Sequence, residues 1–319
     1  MERLNIAIDW ESFRSQLNKV FKKESKGPGG RPPYDYVVMF KILILQRLYG
    51  ISDAQAEFQI KDRLSFMRFL GFNLCDTVPD EKTIWLYREQ LVKADIIDTL
   101  FYRFTLQLEK KGLITRTGSI IDASFVDVPK QRNNKEDNDS IKKGELPEEW
   151  KKEGNENKVA QKDIDARWTK KNNETHYGYK NHVKADKDSK LIVGYEVTSA
   201  EVHDSQMLPE LVDTKKDKVV YADSAYTGEK IEGCLGKKIE NQICEKGYRN
   251  KPLTEEQKAM NRKKSSIRVR VEHIFGFMTN SMNGMTIRCI GIARARFAIG
   301  MMNLTYNMSR YGFLVRART

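Results

Sequence analysis

The chain has 319 residues, long enough to bury a substantial core and to allow two domains. Its four cysteines, Cys75, Cys234, Cys244 and Cys289, make no CxxC pair, which argues against a zinc ribbon, a dithiol redox motif or a disulfide framework; reduced thiols and a cytoplasmic location are expected. Residues 246–319 hold 15 Lys or Arg against 3 Asp or Glu, a net of +12 that equals the charge of the whole chain, and the preceding residues balance at 41 against 41. A basic segment so concentrated is either a solvated surface or a binding face for a polyanion, most simply nucleic acid phosphate. No apolar run approaches the roughly 18 residues that a membrane span needs, and the start Met-Glu-Arg-Leu-Asn-Ile-Ala-Ile-Asp has no signal-peptide h-region.

The first part reads as helical. After the breaker Gly27-Pro28-Gly29-Gly30-Arg31-Pro32-Pro33, the stretch Tyr34 to Tyr49 is dense in apolar residues (Val37, Val38, Phe40, Ile44, Leu45, Leu48) and predicts a helix buried on much of its circumference. Gly50 ends it, and Ser52 or Asp53 can cap a second helix through Ile60. A third contains Leu64, Phe66, Met67, Phe69 and Leu70 and stops at Gly71; Pro79-Asp80 opens a fourth, Glu81 to Lys93. Short helices with tight turns fit a helix-turn-helix-like bundle that touches DNA or a second subunit, or else a plain packing or dimerisation domain.

From Leu113 the pattern changes to strands. The first runs through Asp122 and ends by Pro129. Residues 128–171, with 12 basic and 10 acidic side chains and few aliphatics, are expected to be a flexible charged insertion. The alternation His176 to Ala185, the turn Asp186-Lys187-Asp188-Ser189 and the run Leu191 to Thr198 predict an antiparallel hairpin. A short helix around Gln206 to Val212, a strand ending at Asp223 and a helix-strand unit over Gly228 to Glu245 follow, and helical patterns fill 254–281 and 291–311. Three strands, a helix, a fourth strand and late helices match the order of an RNase H-like fold.

Three acids stand out in that order. Asp122 interrupts the apolar run Ser119-Ile120-Ile121-Asp122-Ala123-Ser124-Phe125-Val126, Asp223 closes Val219-Val220-Tyr221-Ala222-Asp223, and Glu272 lies in Arg268-Val269-Arg270-Val271-Glu272-His273. A carboxylate in an apolar strand costs desolvation energy unless it is paired or binds a cation. Phosphodiester cleavage by two divalent cations needs carboxylates that hold the ions roughly 3.5–4 Å apart, and Mg²⁺ suits such oxygen ligands. The period of two puts Ile120, Asp122 and Ser124 on one strand face and Val219, Tyr221 and Asp223 on another, while Arg268 and Glu272 share a helix face.

These motifs resemble a known family. IIDASFV, HYGYKNHVKAD, Val-His-Asp-Ser at 202–205, VYADSAYTG and SIRVRVEHIFG, with the N-terminal stretch RPPYDYVVMFKILILQRLYGISDAQAEFQIKDRLSFMRFLGF, look like bacterial insertion-sequence transposases of the DDE type, nearest the group named after insertion sequence five. The resemblance covers nearly the whole chain. It implies Asp122, Asp223 and Glu272 as the catalytic and metal-binding triad; Arg268, one turn before Glu272, is a further catalytic candidate that either faces the scissile phosphate, holds Glu272 in place or forms a plain helix-surface pair. A related insertion-sequence group places a Tyr seven residues before its Glu and a Lys seven after; Ser265 and Thr279 stand there in this chain, which removes support for any mechanism built on those side chains.

The expectation is therefore an α/β protein: an N-terminal all-α domain over 1–112 that binds DNA or mediates dimerisation, and an RNase H-like catalytic domain over 113–319 with a mixed five-stranded sheet and the charged insertion at 128–171. Expected cofactors are two Mg²⁺ ions per site, with Mn²⁺ as substitute. Expected partners are double-stranded DNA (terminal inverted repeats and target) and further copies of the chain in a homodimer or larger synaptic assembly, at the nucleoid and away from membranes. Lys180, Arg262, Lys263, Lys264, Arg270, Arg294 and Arg296 are the candidate DNA contacts; for Lys180 the rival is strand packing with Tyr177 and Tyr179, and for Arg294 and Arg296 it is simple exposure. The alternatives in function are a related RNase H-like nuclease and a domesticated or inactive DNA-binding relative. A zinc pair of His176 and His182 is disfavoured, with no cysteine and no third ligand near.

Overall fold

The structure, a computed structural model, describes residues 1–21, 32–171, 173–228, 233–236, 238–249 and 251–316. Most of the Gly/Pro breaker at 27–33, and part of the helix-strand unit expected over 228–245, lie outside the described residues.

The N-terminal region is helical: α1 (Glu2–Ala7), α2 (Arg14–Phe21), α3 (Tyr36–Tyr49), α4 (Asp53–Asp62), α5 (Leu64–Leu70), α6 (Glu81–Lys93) and α7 (Ile97–Lys110). Their limits follow from capping chemistry. The Asp35 carboxylate accepts from the Val37 and Val38 N–H groups, Ser52 from Gln55 and Asp80 from Thr83, so each supplies an acceptor to a free first-turn donor. Gly50 ends α3 in the left-handed region, at φ 60°. A Cβ there would lie 2.3 Å from the Cβ of Asn283, so the close approach as well as the turn requires glycine.

β1 (Ser119–Asp127) opens the sheet, followed by the short helices α8 (Lys135–Lys142) and α9 (Glu156–Ala160), then β2 (Arg167–Lys171), β3 (Glu174–Asp186), β4 (Ile192–Ser199), α10 (Leu208–Leu211), β5 (Val219–Tyr221) and β6 (Glu240–Asn241). The sheet has six strands in the order β2-β3-β1-β5-β6, with β4 also paired to β3. β3 is long enough for its first half to pair β2 and its second half to pair β4, all antiparallel. The five-stranded expectation is corrected by β2, which comes from the stretch read as a loop. That stretch also holds α8 and α9 and buries Ile141, Trp150 and Ala166, so its few apolar side chains suffice to anchor it.

The sheet's mixed character comes from β5, which runs parallel to β1 with Ser119 opposite Val220 and Ile120 opposite Tyr221. Ile120 and Tyr221 face the larger core, whereas Ile121, Val220 and Ala222 face a smaller one with Leu208, Leu211 and Tyr226. On the larger-core side lie α11 (Glu255–Arg268), a 3₁₀ turn at Val269–Val271, α12 (Glu272–Ser281) and the long α13 (Ile292–Arg316). α13 packs on α1, α3, α7 and β4 at once. Two buried asparagines bind it to the sheet: Asn303 exchanges hydrogen bonds with Asn181, and Asn307 accepts from the Ile192 N–H and donates to the Ile192 carbonyl. One apolar cluster thus runs without a break from Leu4 to Tyr311. Among the described residues no helix is long and apolar enough to cross a membrane.

Candidate active site

The parallel register of β1 and β5, carried two residues past Ile120 and Tyr221, sets Asp223 beside Asp122 on the face toward α12. Asp122 is nearly buried, its side chain 14% exposed. Its Oδ1 accepts from the Ala123 N–H at 2.8 Å and its Oδ2 from Arg268 Nη1 at 2.8 Å. Burial lifts its pKa from the usual 3.8 to about 6; the Ala123 N–H and the Arg268 charge pull the other way, and the charge of Asp223 adds to the rise. Asp223 caps the 3₁₀ turn Ser224–Tyr226, its Oδ1 accepting from the Ala225 N–H at 2.7 Å.

Glu272 opens α12 and is 60% exposed. Its Oε1 lies 3.7 Å from Arg268 Nη2, so one guanidinium bridges Asp122 and Glu272 through two different nitrogens. The expected i,i+4 spacing survives the 3₁₀ turn because residues 268–272 all keep right-handed helical backbone angles or close to them. The site therefore brings Asp122, Asp223 and Arg268 together, with Glu272 on its open side. Among the described residues, no three acidic, His or Cys side chains are already gathered around one point.

Beneath the acids lies Tyr226, fully buried, whose hydroxyl has no hydrogen-bond partner. Burial, then the charges of Asp122, Asp204 and Asp223, drive its pKa upward. Asp204 in turn pairs with Lys180 at 2.8 Å and with Lys171 at 3.4 Å. Burial would raise the Asp204 carboxyl, but the Lys180 hydrogen bond and charge outweigh it and hold the pKa below the usual value. Tyr226 is not among the residues singled out from the sequence; Asp204 is, as part of a His203-Asp204 pair that either orients a loop near the site or makes surface hydrogen bonds. Both also sit in motifs that carry the resemblance, VYADSAYTG and Val-His-Asp-Ser.

The basic candidates divide. Lys180 is corrected: its strand is not exposed, and its ammonium is buried against Asp204 and the Val202 carbonyl, 5.1 Å from the centre of the Phe125 ring. Arg294 and Arg296 are committed within the fold, Arg294 through paired hydrogen bonds to Glu89 of α6 and Arg296 through an ion pair with Asp98 of α7. Lys264 donates to the Ile243 carbonyl and Arg270 to the Lys187 carbonyl, with Asp188 at 3.6 Å. Arg262 and Lys263 are exposed on α11. His182 is buried, bonded to the Thr198 hydroxyl, and burial drops its pKa to about 4; His176 instead stacks on Phe125, so the two histidines form no zinc pair.

A mixed sheet thus brings together Asp122 on β1 and Asp223 just past the end of β5, with Glu272 on a later helix beside them. The sequence matches the family described as Transposase DDE domain over residues 114–308, and a second family described as Transposase domain (DUF772) over residues 1–90. The chain belongs to the DDE transposase family and is a DNA transposase, in line with the resemblance to insertion-sequence elements. It is also similar to a piggyBac transposase solved by cryo-EM as a synaptic complex with hairpin DNA, at 11% identity and a TM-score of 0.48, over 99% of this chain and 73% of that one.

The family acts with divalent metal ions. The residues present fit such an ion: the raised pKa of Asp122 beside Asp223 is the electrostatic stress that a divalent cation relieves, and the Arg268 guanidinium already occupies a cationic position between two of the acids.

Proposed function

We propose that Asp122, Asp223 and Glu272 hold two Mg²⁺ ions and that this site cuts DNA at the ends of an insertion sequence and joins the freed 3′-hydroxyl to target DNA. The observation that carries the reading is the parallel β1–β5 register, which sets two aspartates side by side under an arginine that also reaches Glu272. Bound there, divalent cations supply activation of the attacking oxygen and stabilisation of the leaving oxygen in an in-line displacement. The rest is the chain's own work. The Ala123 and Ala225 N–H groups each hold one oxygen of an aspartate; the second oxygen of Asp122 accepts from Arg268, and the second oxygen of Asp223 has no hydrogen bond among the described residues. Arg268 offers planar paired donors that can exchange carboxylate oxygens for those of a phosphodiester.

The exposed Arg262 and Lys263 on α11 supply sequence-independent contacts to double-stranded DNA, and the helices of residues 1–112 serve DNA end binding or the contact with further copies in a dimer or larger synaptic assembly. Such a protein works at the bacterial nucleoid. The direct test is cleavage of the element's terminal DNA by Asp122→Asn, Asp223→Asn and Glu272→Gln. Each is expected to abolish Mg²⁺-dependent cleavage while gel-shift affinity stays within a few-fold. Retained cleavage in any one variant removes that residue from the site.

A further inference from the structure

One cavity near the site has no role in the mechanism above. It encloses about 930 Å³, within the roughly 300–1,000 Å³ of ligand pockets, and lies between the N-terminal helices and residues 282–301. Its walls are of two kinds. Leu43, Val92, Ile287, Phe297 and the ring of Trp85 are apolar, and Arg47, Arg88, Arg288 and Arg294 are cationic. Arg88 pairs with Asp53 and Arg294 with Glu89, which uses both acids of the lining. Arg47 and Arg288 have no hydrogen-bond or ion-pair partner among the described residues. Arg288 is exposed, whereas Arg47, half-buried, is the more telling: desolvation, and then the charge of Arg88, make its cation less favourable than usual while no carboxylate pairs with it. Beside it the Gln46 side-chain oxygen is buried with no donor.

The cavity is also in line with the acids. β1 continues from Asp122 to Asp127, whose N–H donates to the Met285 carbonyl and whose carbonyl accepts from the Ile287 N–H. α12 runs from Glu272 to the cavity residues that begin at Met282. Five strand residues span roughly 17 Å, and ten helical ones about 15 Å. At about 3.4 Å per nucleotide along one strand, that separation is on the order of five nucleotide steps.

We infer that this cavity binds one nucleotide of a DNA strand whose scissile phosphate lies at Asp122, with the phosphate on Arg47 and Arg288 and the base against Trp85. An uncompensated guanidinium selects a phosphate ester, and the apolar wall and the exposed Trp85 ring select a flat base. The inference rests on the transposase site proposed above, and it adds a second grip on the same strand.

Cys289 lines the cavity and reports on it. In the full-length protein, alkylation of Cys289 by iodoacetamide is followed by peptide mass spectrometry, with the exposed Cys75 as internal control. Burial raises the Cys289 thiol to about 11, so the labelling is run near pH 9. A random-sequence DNA duplex with a single-stranded overhang is expected to slow Cys289 labelling at least fivefold and to leave Cys75 unchanged. Arg47→Ala is expected to lose that protection and to lower duplex affinity at least fivefold, with Arg47→Lys recovering part of both. If inorganic phosphate or deoxyadenosine monophosphate protects Cys289 as well as the duplex does, the cavity takes free nucleotides and the strand assignment is wrong. If wild-type protein binds and cleaves DNA but Cys289 stays unprotected, this inference fails and the catalytic reading stands. If wild-type protein binds no duplex at all, both fail together. The wild-type footprint decides the matter even where Arg47→Ala does not fold.

Discussion

Asp122 carries its charge at a cost that its neighbours offset only in part. Its folded pKa, about 6, lies above the usual 3.8, so the native state holds this proton more tightly than the unfolded chain does. In buffer free of divalent ions, stability is therefore expected to fall as pH rises from about 4 to about 6, and Asp122→Asn should remove that slope. At pH 7.5 the Asn variant should be more stable than wild type by roughly 1–3 kcal/mol in urea titrations, since one pKa unit corresponds to about 1.36 kcal/mol. Mg²⁺ should raise the Tm of wild type, EDTA should reverse the gain, and the Asn variant should not respond. A variant that still gains stability from Mg²⁺ would place the ion elsewhere. Arg268 tests the other half of the site. Its two nitrogens reach different carboxylates, a fork that an ammonium cannot reproduce, so Arg268→Lys is expected to slow single-turnover cleavage tenfold or more at saturating Mg²⁺. A rate near that of wild type would leave Arg268 as a structural partner of Asp122 and Glu272 with no part in the chemistry.

Among elements, α11 and α13 both carry basic residues, yet they use them differently. On α11, Arg262 and Lys263 point to solvent, while Lys264 is bonded to the Ile243 carbonyl. Replacing Arg262 and Lys263 with Ala should weaken binding equally on specific and random DNA, and should flatten the log–log salt slope by about one for each phosphate no longer neutralised. Lys264→Ala should leave the slope unchanged. On α13, Arg294 neutralises Glu89, whose side chain is only 10% exposed. Arg294→Ala is expected to cost roughly 1–3 kcal/mol in chemical denaturation, because a nearly buried carboxylate is left without its hydrogen-bonded partner, and to leave the salt dependence of DNA binding as it was. A changed salt slope with unchanged stability would return Arg294 to the DNA-binding face.

Over the whole molecule, the helices before residue 112 and the last helix share one apolar core. Leu4, Phe40, Leu100, Ile299 and Leu304 belong to the same cluster, and Gly300 approaches both Ile97 and Tyr195 so closely that a Cβ would lie 2.4 Å from each. Calorimetry is therefore expected to give one cooperative transition, and residues 113–319 produced alone should expose the α13 face and bind a hydrophobic dye. Two separated transitions would mean that the helical region folds as an independent unit.

Local rules were enough for much of this architecture. The limits of α5 and α6, the β3–β4 hairpin and the strand that holds Asp122 follow from caps, turns and periodicity within a few residues of each position. The three acids proposed for the site drew notice for the same reason, since each stands out against its own apolar or helical neighbourhood. Interactions across long sequence separations were not legible. Lys180 reads as an exposed strand lysine until Asp204, 24 residues on, neutralises it in the interior. Arg294 reads as a phosphate ligand until Glu89, 205 residues away, takes it up. β2 hides in a charged stretch because an edge strand needs only the hydrogen bonds of β3 and a few anchoring side chains. The sequence by itself determined which residues are able to carry charge or bury surface. Only the tertiary structure decided which charges are spent on each other and which remain exposed, because desolvation and pairing depend on neighbours that the chain brings together from a distance.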